Sequence, residues 1–175
     1  TDPTYHQILE AAELRTVDGS GLRFAAEFLI RKAEQPALLA LLSSSLIFFL
    51  APQRLRPFPE VATGIDLTQE LLRRLGSRRV RVFLLGSNDE QISRLKKSLS
   101  HRYPRMIVDG VDGGAISDDG SPDNPRLVSR ISRFAPDLLL VGCGAPKQEA
   151  FIYRYRKLLK ARLAIGVGGT LDFLS

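Results

Sequence analysis

Pro136-Asp137-Leu138-Leu139-Leu140-Val141-Gly142-Cys143-Gly144-Ala145-Pro146-Lys147-Gln148-Glu149 decides how the rest of this chain is read. Leu138 to Val141 is a short apolar run, long enough for a buried strand and too short for a helix. Gly142 and Gly144 allow a sharp turn and a close approach of backbone to a ligand. Pro146 suits the first helical position, where its missing N–H costs nothing. The free N–H groups of such a helix start form an anion site. In a parallel sheet a site of this kind lies at the carboxyl ends of the strands.

Moving outward, two further strands are predicted to end in glycine turns. Val80 to Leu85 runs into Gly86-Ser87-Asn88, and residues 162–167 run into Gly166-Val167-Gly168-Gly169-Thr170. Between them the spacing predicts a helix through Ile92, Leu95 and Leu99, a strand over Arg105 to Val108, and a loop from Asp109 to Pro122. A helix over 124–134 follows, with Leu127, Ile131 and Phe134 on one face. Strand and helix thus alternate from Val80 to the end. That pattern implies a Rossmann-like α/β fold, a mostly parallel sheet with helices on both faces. No linker, repeat or low-complexity tract interrupts 1–175, which reads as a single domain.

The first part of the chain is less regular. Residues 3–13 read as a helix, Leu14 to Val17 as a short strand ending in Asp18-Gly19, and 22–34 as a second helix. The run from Pro36 to Pro52 carries no charged residue, with Arg31 and Lys32 before it and Arg54 and Arg56 after it. Spanning a bilayer takes about 20 apolar residues, and Ser43, Ser44 and Ser45 interrupt this run. A buried core helix is its leading reading. An interfacial membrane patch or a contact between copies in a homo-oligomer are the alternatives. Asp66 reads as an N-cap, with Gln69 as its capping-box partner, and Gly76 as the end of that helix.

Composition narrows the function. Apolar residues make up 44% and charged residues 25%, which is ordinary for a globular chain. The single cysteine excludes an internal disulfide and fits a reducing compartment. The net charge of +6 suits phosphate-bearing partners or an anionic membrane. Nothing resembles a nucleic-acid reader: basic residues are not interleaved with aromatics and zinc-finger spacing is lacking. Both glycine motifs lack the third glycine of a dinucleotide fingerprint, and neither a P-loop nor a G-x-S-x-G elbow occurs. The aspartates between 109 and 123 lack calcium-loop spacing, and His6 and His101 lie far apart in predicted helices. Cys143 has no neighbouring histidine in sequence to activate it and reads as a small buried residue.

Three tracts then carry a resemblance. Phe83-Leu84-Leu85-Gly86, Pro136 to Glu149, and Gly166-Val167-Gly168-Gly169-Thr170-Leu171-Asp172-Phe173 resemble the WecG/TagA/CpsF family of bacterial glycosyltransferases. Thr63-Gly64-Ile65-Asp66-Leu67 and Val17-Asp18-Gly19 match in the same order, so the resemblance covers about residues 5–175. It implies inverting, metal-independent transfer of a sugar, often of N-acetylmannosamine type, from a UDP-sugar to a polyprenyl-diphosphate-linked amino sugar. That is chemistry of cell-surface polysaccharide or teichoic acid synthesis, and the resemblance implies a cytoplasmic enzyme, peripheral at the inner face of the cell membrane. The donor is a substrate, and no cofactor is implied. The chain has no D-x-D pair to hold a metal–diphosphate complex.

The resemblance also assigns residues. Asp18 becomes the general base, although Asp18-Gly19 alone reads as a turn. Gln148 contacts the sugar and Asp172 the uridine. Gly86, Gly142, Gly144, Gly168 and Gly169 leave room for the nucleotide, Lys147 faces the diphosphate, and Thr63 and Gly64 line the same region. The family's upstream T-x-N motif and its arginine-bearing C-terminal tail have no counterpart here. The chain is therefore expected to be a catalytic domain cut at both ends, or a non-catalytic nucleotide-binding or assembly module derived from the family.

Overall fold

The computed structural model describes residues 3–16, 20–55, 63–86 and 88–174. The chain divides into two compact units, Thr1–Glu13 with Ile65–Ser175 and Leu14–Gly64. Among the described residues there are eight α-helices and four strands.

The larger unit holds the sheet. Its strands are β1 (Arg81–Gly86), β2 (Ile107–Asp112), β3 (Leu138–Val141) and β4 (Leu163–Gly166). All pair in parallel, in the order β2-β1-β3-β4. The connecting helices are α5 (Asp89–Arg102), α6 (Leu127–Phe134) and α7 (Lys147–Tyr155), with α8 (Thr170–Phe173) after β4. The alternation read from the sequence is therefore a doubly wound, Rossmann-like sheet.

The side-chain period of two divides the core into layers. Val82 and Leu84 of β1, with Leu138 and Leu140 of β3, pack against Ile92, Leu95 and Leu99 of α5. Phe83 and Leu85, with Leu139 and Val141, pack against Leu127 and Ile131 of α6 and Phe151 of α7. Each of these strand residues is fully buried. Burying one such side chain stabilises by about 1.5–3 kcal/mol, so the two central strands anchor the unit. Helix α1 (Pro3–Glu10) packs along α7, and α4 (Gly64–Leu75) adds Leu72 to the α5 layer.

Several boundaries differ from the sequence reading. Strand β2 starts later and runs through Asp112, so the loop begins at Gly113. Pairing with β1 draws those residues in, since Phe83 to Gly86 sit opposite Asp109 to Asp112. Gly110 fits there because a Cβ would lie 2.7 Å from the Leu84 carbonyl oxygen. Helix α4 begins at Gly64, so Asp66 lies inside its first turn, where a carboxylate favours the helix dipole, and not at the cap. Gly76 does follow its last residue, but without a left-handed φ. Its reason is packing: a Cβ would run into the Tyr103 ring.

The smaller unit is a helical hairpin of α2 (Ser20–Glu34) and α3 (Ala37–Leu50), followed by a 3₁₀ turn at Pro52–Arg54. Phe24 meets Phe48 edge-on at 5.6 Å, and the Gln35 amide donates to Ser43 Oγ at 2.8 Å. The strand expected from Leu14 is not formed over Leu14, Arg15 and Thr16, whose backbone pairs with no other strand among the described residues. Val17 lies outside them. The reading of Pro36–Pro52 as a core helix is also overturned. The helix forms, yet only Ala40 and Ser44 of it are buried, while Leu38, Leu42, Leu46 and Phe49 are 59–78% exposed. No helix among the described residues is long and apolar enough to cross a membrane.

Candidate functional site

The strand order reverses direction between β1 and β3. The chain leaves β1 for β2 on one side and returns to β3 and β4 on the other. In such sheets a crevice opens beyond the carboxyl ends of the two strands that flank the reversal, and ligands bind there. Here those ends are Gly86 and Gly142. The Gly142 N–H donates to the Leu85 carbonyl at 2.7 Å, and the Val167 N–H to the Val141 carbonyl at 2.8 Å. The three glycine turns therefore lie side by side on one edge, as their positions in sequence implied.

The glycines serve different ends. At Gly142 a Cβ would lie 2.6 Å from Leu171 Cδ1 and 2.9 Å from the Gly168 carbonyl oxygen. At Gly86 it would lie 2.8 Å from Ile92 Cδ1. These two glycines let the chain's own turns close against one another, and Ile92 and Leu171 fill the space beside them. Gly144 and Gly168 have φ of +78° and +52° with open space where a Cβ would stand. The room expected for a ligand is thus at 144 and 168, while Gly169 has Asp172 Oδ2 at 3.5 Å from its Cβ position.

Gln148 joins the last two turns. It is 5% exposed at the start of α7, and its Oε1 accepts the Gly168 N–H at 2.9 Å. Its Nε2 donates to Glu149 Oε1 at 2.7 Å. Glu149 Oε2 is buried and has no hydrogen-bond partner among the described residues. Burial, with the Glu149 charge as a second cause, raises the pKa of Tyr5 on α1. Pro146 stands just before the first helical residue, and its carbonyl and that of Gly144 accept from Ala150 and Gln148.

Asp172, on α8, is exposed and accepts a hydrogen bond from Gln91 Nε2 of α5. The Gln91 N–H is itself held by the Asn88 side chain, the N-cap of α5. Lys147 Nζ lies 3.9 Å from Asp118 Oδ1, a loose exposed pair that leaves the ammonium available to an anion. Asp118 belongs to a loop held on α7 by Arg154 and Asp119 at 2.8 Å, and by Gly120, which abuts the backbone of Ala150 and Phe151. Burial and the Asp112 carboxylate push the Cys143 thiol up to about 11, so it is protonated at neutral pH and unsuited to attack.

The structure thus brings Gly86, Gly142, Gly144, Lys147, Gln148, Gly168, Gly169 and Asp172 to one sheet edge. Asp18 lies outside the described residues. Thr63 and Gly64 end the smaller unit, Gly64 opening α4. Sequence reasoning missed Gln91 as a partner of Asp172 and Leu171 as the side chain packed beneath Gly86 and Gly142. Gln91 sits one residue before the predicted apolar stripe and carried no signal of its own. Leu171 could have been found from its place directly after a glycine turn.

An N-acetylglucosaminyldiphosphoundecaprenol N-acetyl-beta-D-mannosaminyltransferase of Bacillus subtilis (strain 168) is 32% identical over 112 residues, 64% of this chain and 42% of the relative. A protein of the same name from Staphylococcus aureus (strain NCTC 8325 / PS 47) is 32% identical over 123 residues, 70% of this chain and 46% of the relative. The chain spans less than half the length of these curated relatives. The profile of the Glycosyl transferase WecG/TagA/CpsF family matches residues 30–175, and the chain belongs to that family.

Proposed function

We propose that this chain carries the nucleotide-sugar site of a glycosyltransferase that moves a sugar of N-acetylmannosamine type from a UDP-sugar to a polyprenyl-diphosphate-linked amino sugar. The work is done at the cytoplasmic surface of the membrane, in the synthesis of a cell-surface polymer. The observation that carries this reading is the pair of glycine turns after β1 and β3, where the strand order reverses. The names of the relatives support the acceptor class.

The roles follow from the chemistry. The Asp18 carboxylate takes the proton of the acceptor hydroxyl as that oxygen attacks the anomeric carbon. A new C–O bond forms on the face opposite the departing group, and the bond from C1 to the diphosphate oxygen breaks. UDP leaves with the electron pair, and the anomeric centre inverts. Amide N–H groups at the Gly144 turn and the Lys147 ammonium meet the charge that grows on the diphosphate, which needs no metal in this scheme. Asp172, oriented by Gln91, accepts a hydrogen bond from the uridine. Gln148 presents its remaining N–H to the sugar while its oxygen holds the turn at Gly168.

Titration calorimetry with UDP tests the site. One-to-one binding with a thermal upshift is expected, and no heat together with no shift would overturn the proposal. Asp18→Asn should keep UDP binding and lose about 10²- to 10⁴-fold in transfer to a lipid-linked acceptor. Binding of UDP by a wild-type chain that transfers nothing would identify a nucleotide-binding module instead.

A further inference from the structure

The α2–α3 hairpin separates its polarity between two helices. Helix α2 carries Arg23, Glu27, Arg31, Lys32 and Glu34, and α3 carries no charge at all. A helix that is apolar all round is normally enclosed. Here α3 meets α2 through Ser43 and Phe48, buries Ala40 and Ser44, and leaves one face uncovered. Leu38, Leu42, Leu46 and Phe49 fall at successive helical turns and are 68%, 59%, 61% and 78% exposed. Leu39 and Leu50, at 54% and 74%, widen that face. Side chains so exposed and so close together form one apolar patch, and the largest such patch on a monomer, typically about 300–600 Å², is often functional.

Length and charge select the occupant. Helix α3 has 14 residues. At about 1.5 Å per residue it falls well short of the ~30 Å hydrocarbon core, so it cannot cross a bilayer but can lie in its surface. No acidic residue occurs between Glu34 and Glu60, and the cations Lys32 and Arg54 stand exposed beyond the two ends of the helix. Residues 27–56 carry Arg31, Lys32, Arg54 and Arg56 against Glu27 and Glu34, so the hairpin as a whole is basic, its excess charge standing at the Arg54 end of α3. Two copies joined on this face would add like net charge, whereas anionic headgroups complement it.

We propose that α3 lies flat in the surface of a bilayer containing anionic lipid, with Leu38, Leu42, Leu46 and Phe49 in the acyl boundary and Lys32 and Arg54 among the headgroups. This deepens the membrane-surface reading given above, but its test is separate from UDP binding and transfer.

The chain has no tryptophan, so Phe49→Trp places a single indole on the proposed face. Mixed with phosphatidylglycerol–phosphatidylcholine vesicles, this variant should co-sediment and its emission should shift to the blue. Pure phosphatidylcholine and added salt should weaken both effects. Adding Leu42→Glu and Leu46→Glu should lower the bound fraction about tenfold or more, with far-UV circular dichroism and UDP binding unchanged. Lys32→Glu with Arg54→Glu, which leaves the apolar face intact, should weaken binding to the anionic vesicles alone. Unchanged indole emission from the Phe49→Trp variant would overturn the proposal, as would full vesicle binding by the Leu42→Glu, Leu46→Glu variant. Self-association in the ultracentrifuge that those glutamates abolish, without vesicle binding, would overturn it too and assign the face to a second copy.

Discussion

Gln148 Oε1 accepts the N–H of Gly168 at 2.9 Å and so ties the start of α7 to the turn after β4. The two residues come from different strand–helix units. Their bond fixes how the second and third glycine turns face the crevice beside β1.

Truncating Gln148 should cost stability before it costs binding. Gln148→Ala leaves the partly buried Gly168 N–H without its acceptor, a loss of about 0.5–1.5 kcal/mol. Urea denaturation followed by circular dichroism reads it directly. Gln148→Glu keeps an acceptor but sets a second carboxylate beside Glu149, in place of a donor bond of 2.7 Å. Its deficit should shrink as the pH falls through the carboxylate range. An equal deficit for Gln148→Glu across that range would show that the contact with Glu149 contributes nothing.

Gly142→Ala and Gly144→Ala should fail for different reasons. At 142 the new methyl meets Leu171 at 2.6 Å, an overpacking cost of about 1–3 kcal/mol. Leu171→Ala should relieve part of that cost, so a double-mutant cycle should show coupling. At 144 nothing is struck, but a φ of +78° costs an alanine about 1–2 kcal/mol. Leu171→Ala should leave that cost unchanged. Thermal unfolding of the single and double variants separates the two.

The acid limb of stability should depend on Asp109. Burial pushes its carboxyl upward, but the hydrogen bond from Lys96 at 2.7 Å, the Gly110 N–H, and the charges of Lys96 and Arg130 outweigh it and hold it below its usual value of 3.8. A carboxylate with a depressed folded pKa contributes stability above its unfolded pKa and loses it as pH falls through the folded one. The wild-type melting temperature should therefore fall more steeply below about pH 4 than that of Asp109→Asn. Parallel curves in scanning calorimetry would show that the pair contributes nothing.

Most of the site's address was legible in the sequence. Leu138–Val141 and the glycine after it announce a buried strand and a turn, and three such units in series place their turns on one edge. What each side chain does there was less legible. Gln148 and Asp172 stand in motifs that resemble a nucleotide-sugar site, yet their partners Gly168 and Gln91 are 20 and 81 residues away. Spacing along the chain carries no signal of such pairs.

The sequence by itself determined the parallel doubly wound sheet. Apolar residues at period two in strands and near 3.6 in helices, with glycine at the turns, admit few other ways to bury that surface. Only the tertiary structure decided that β2 extends through Asp112, because strand length depends on the partner it pairs with. Only it decided that Leu171 closes beneath Gly86 and Gly142, and that α3 leaves its leucines uncovered. An apolar run records that a surface avoids water. What covers that surface depends on elements remote in the chain, or on a partner outside it.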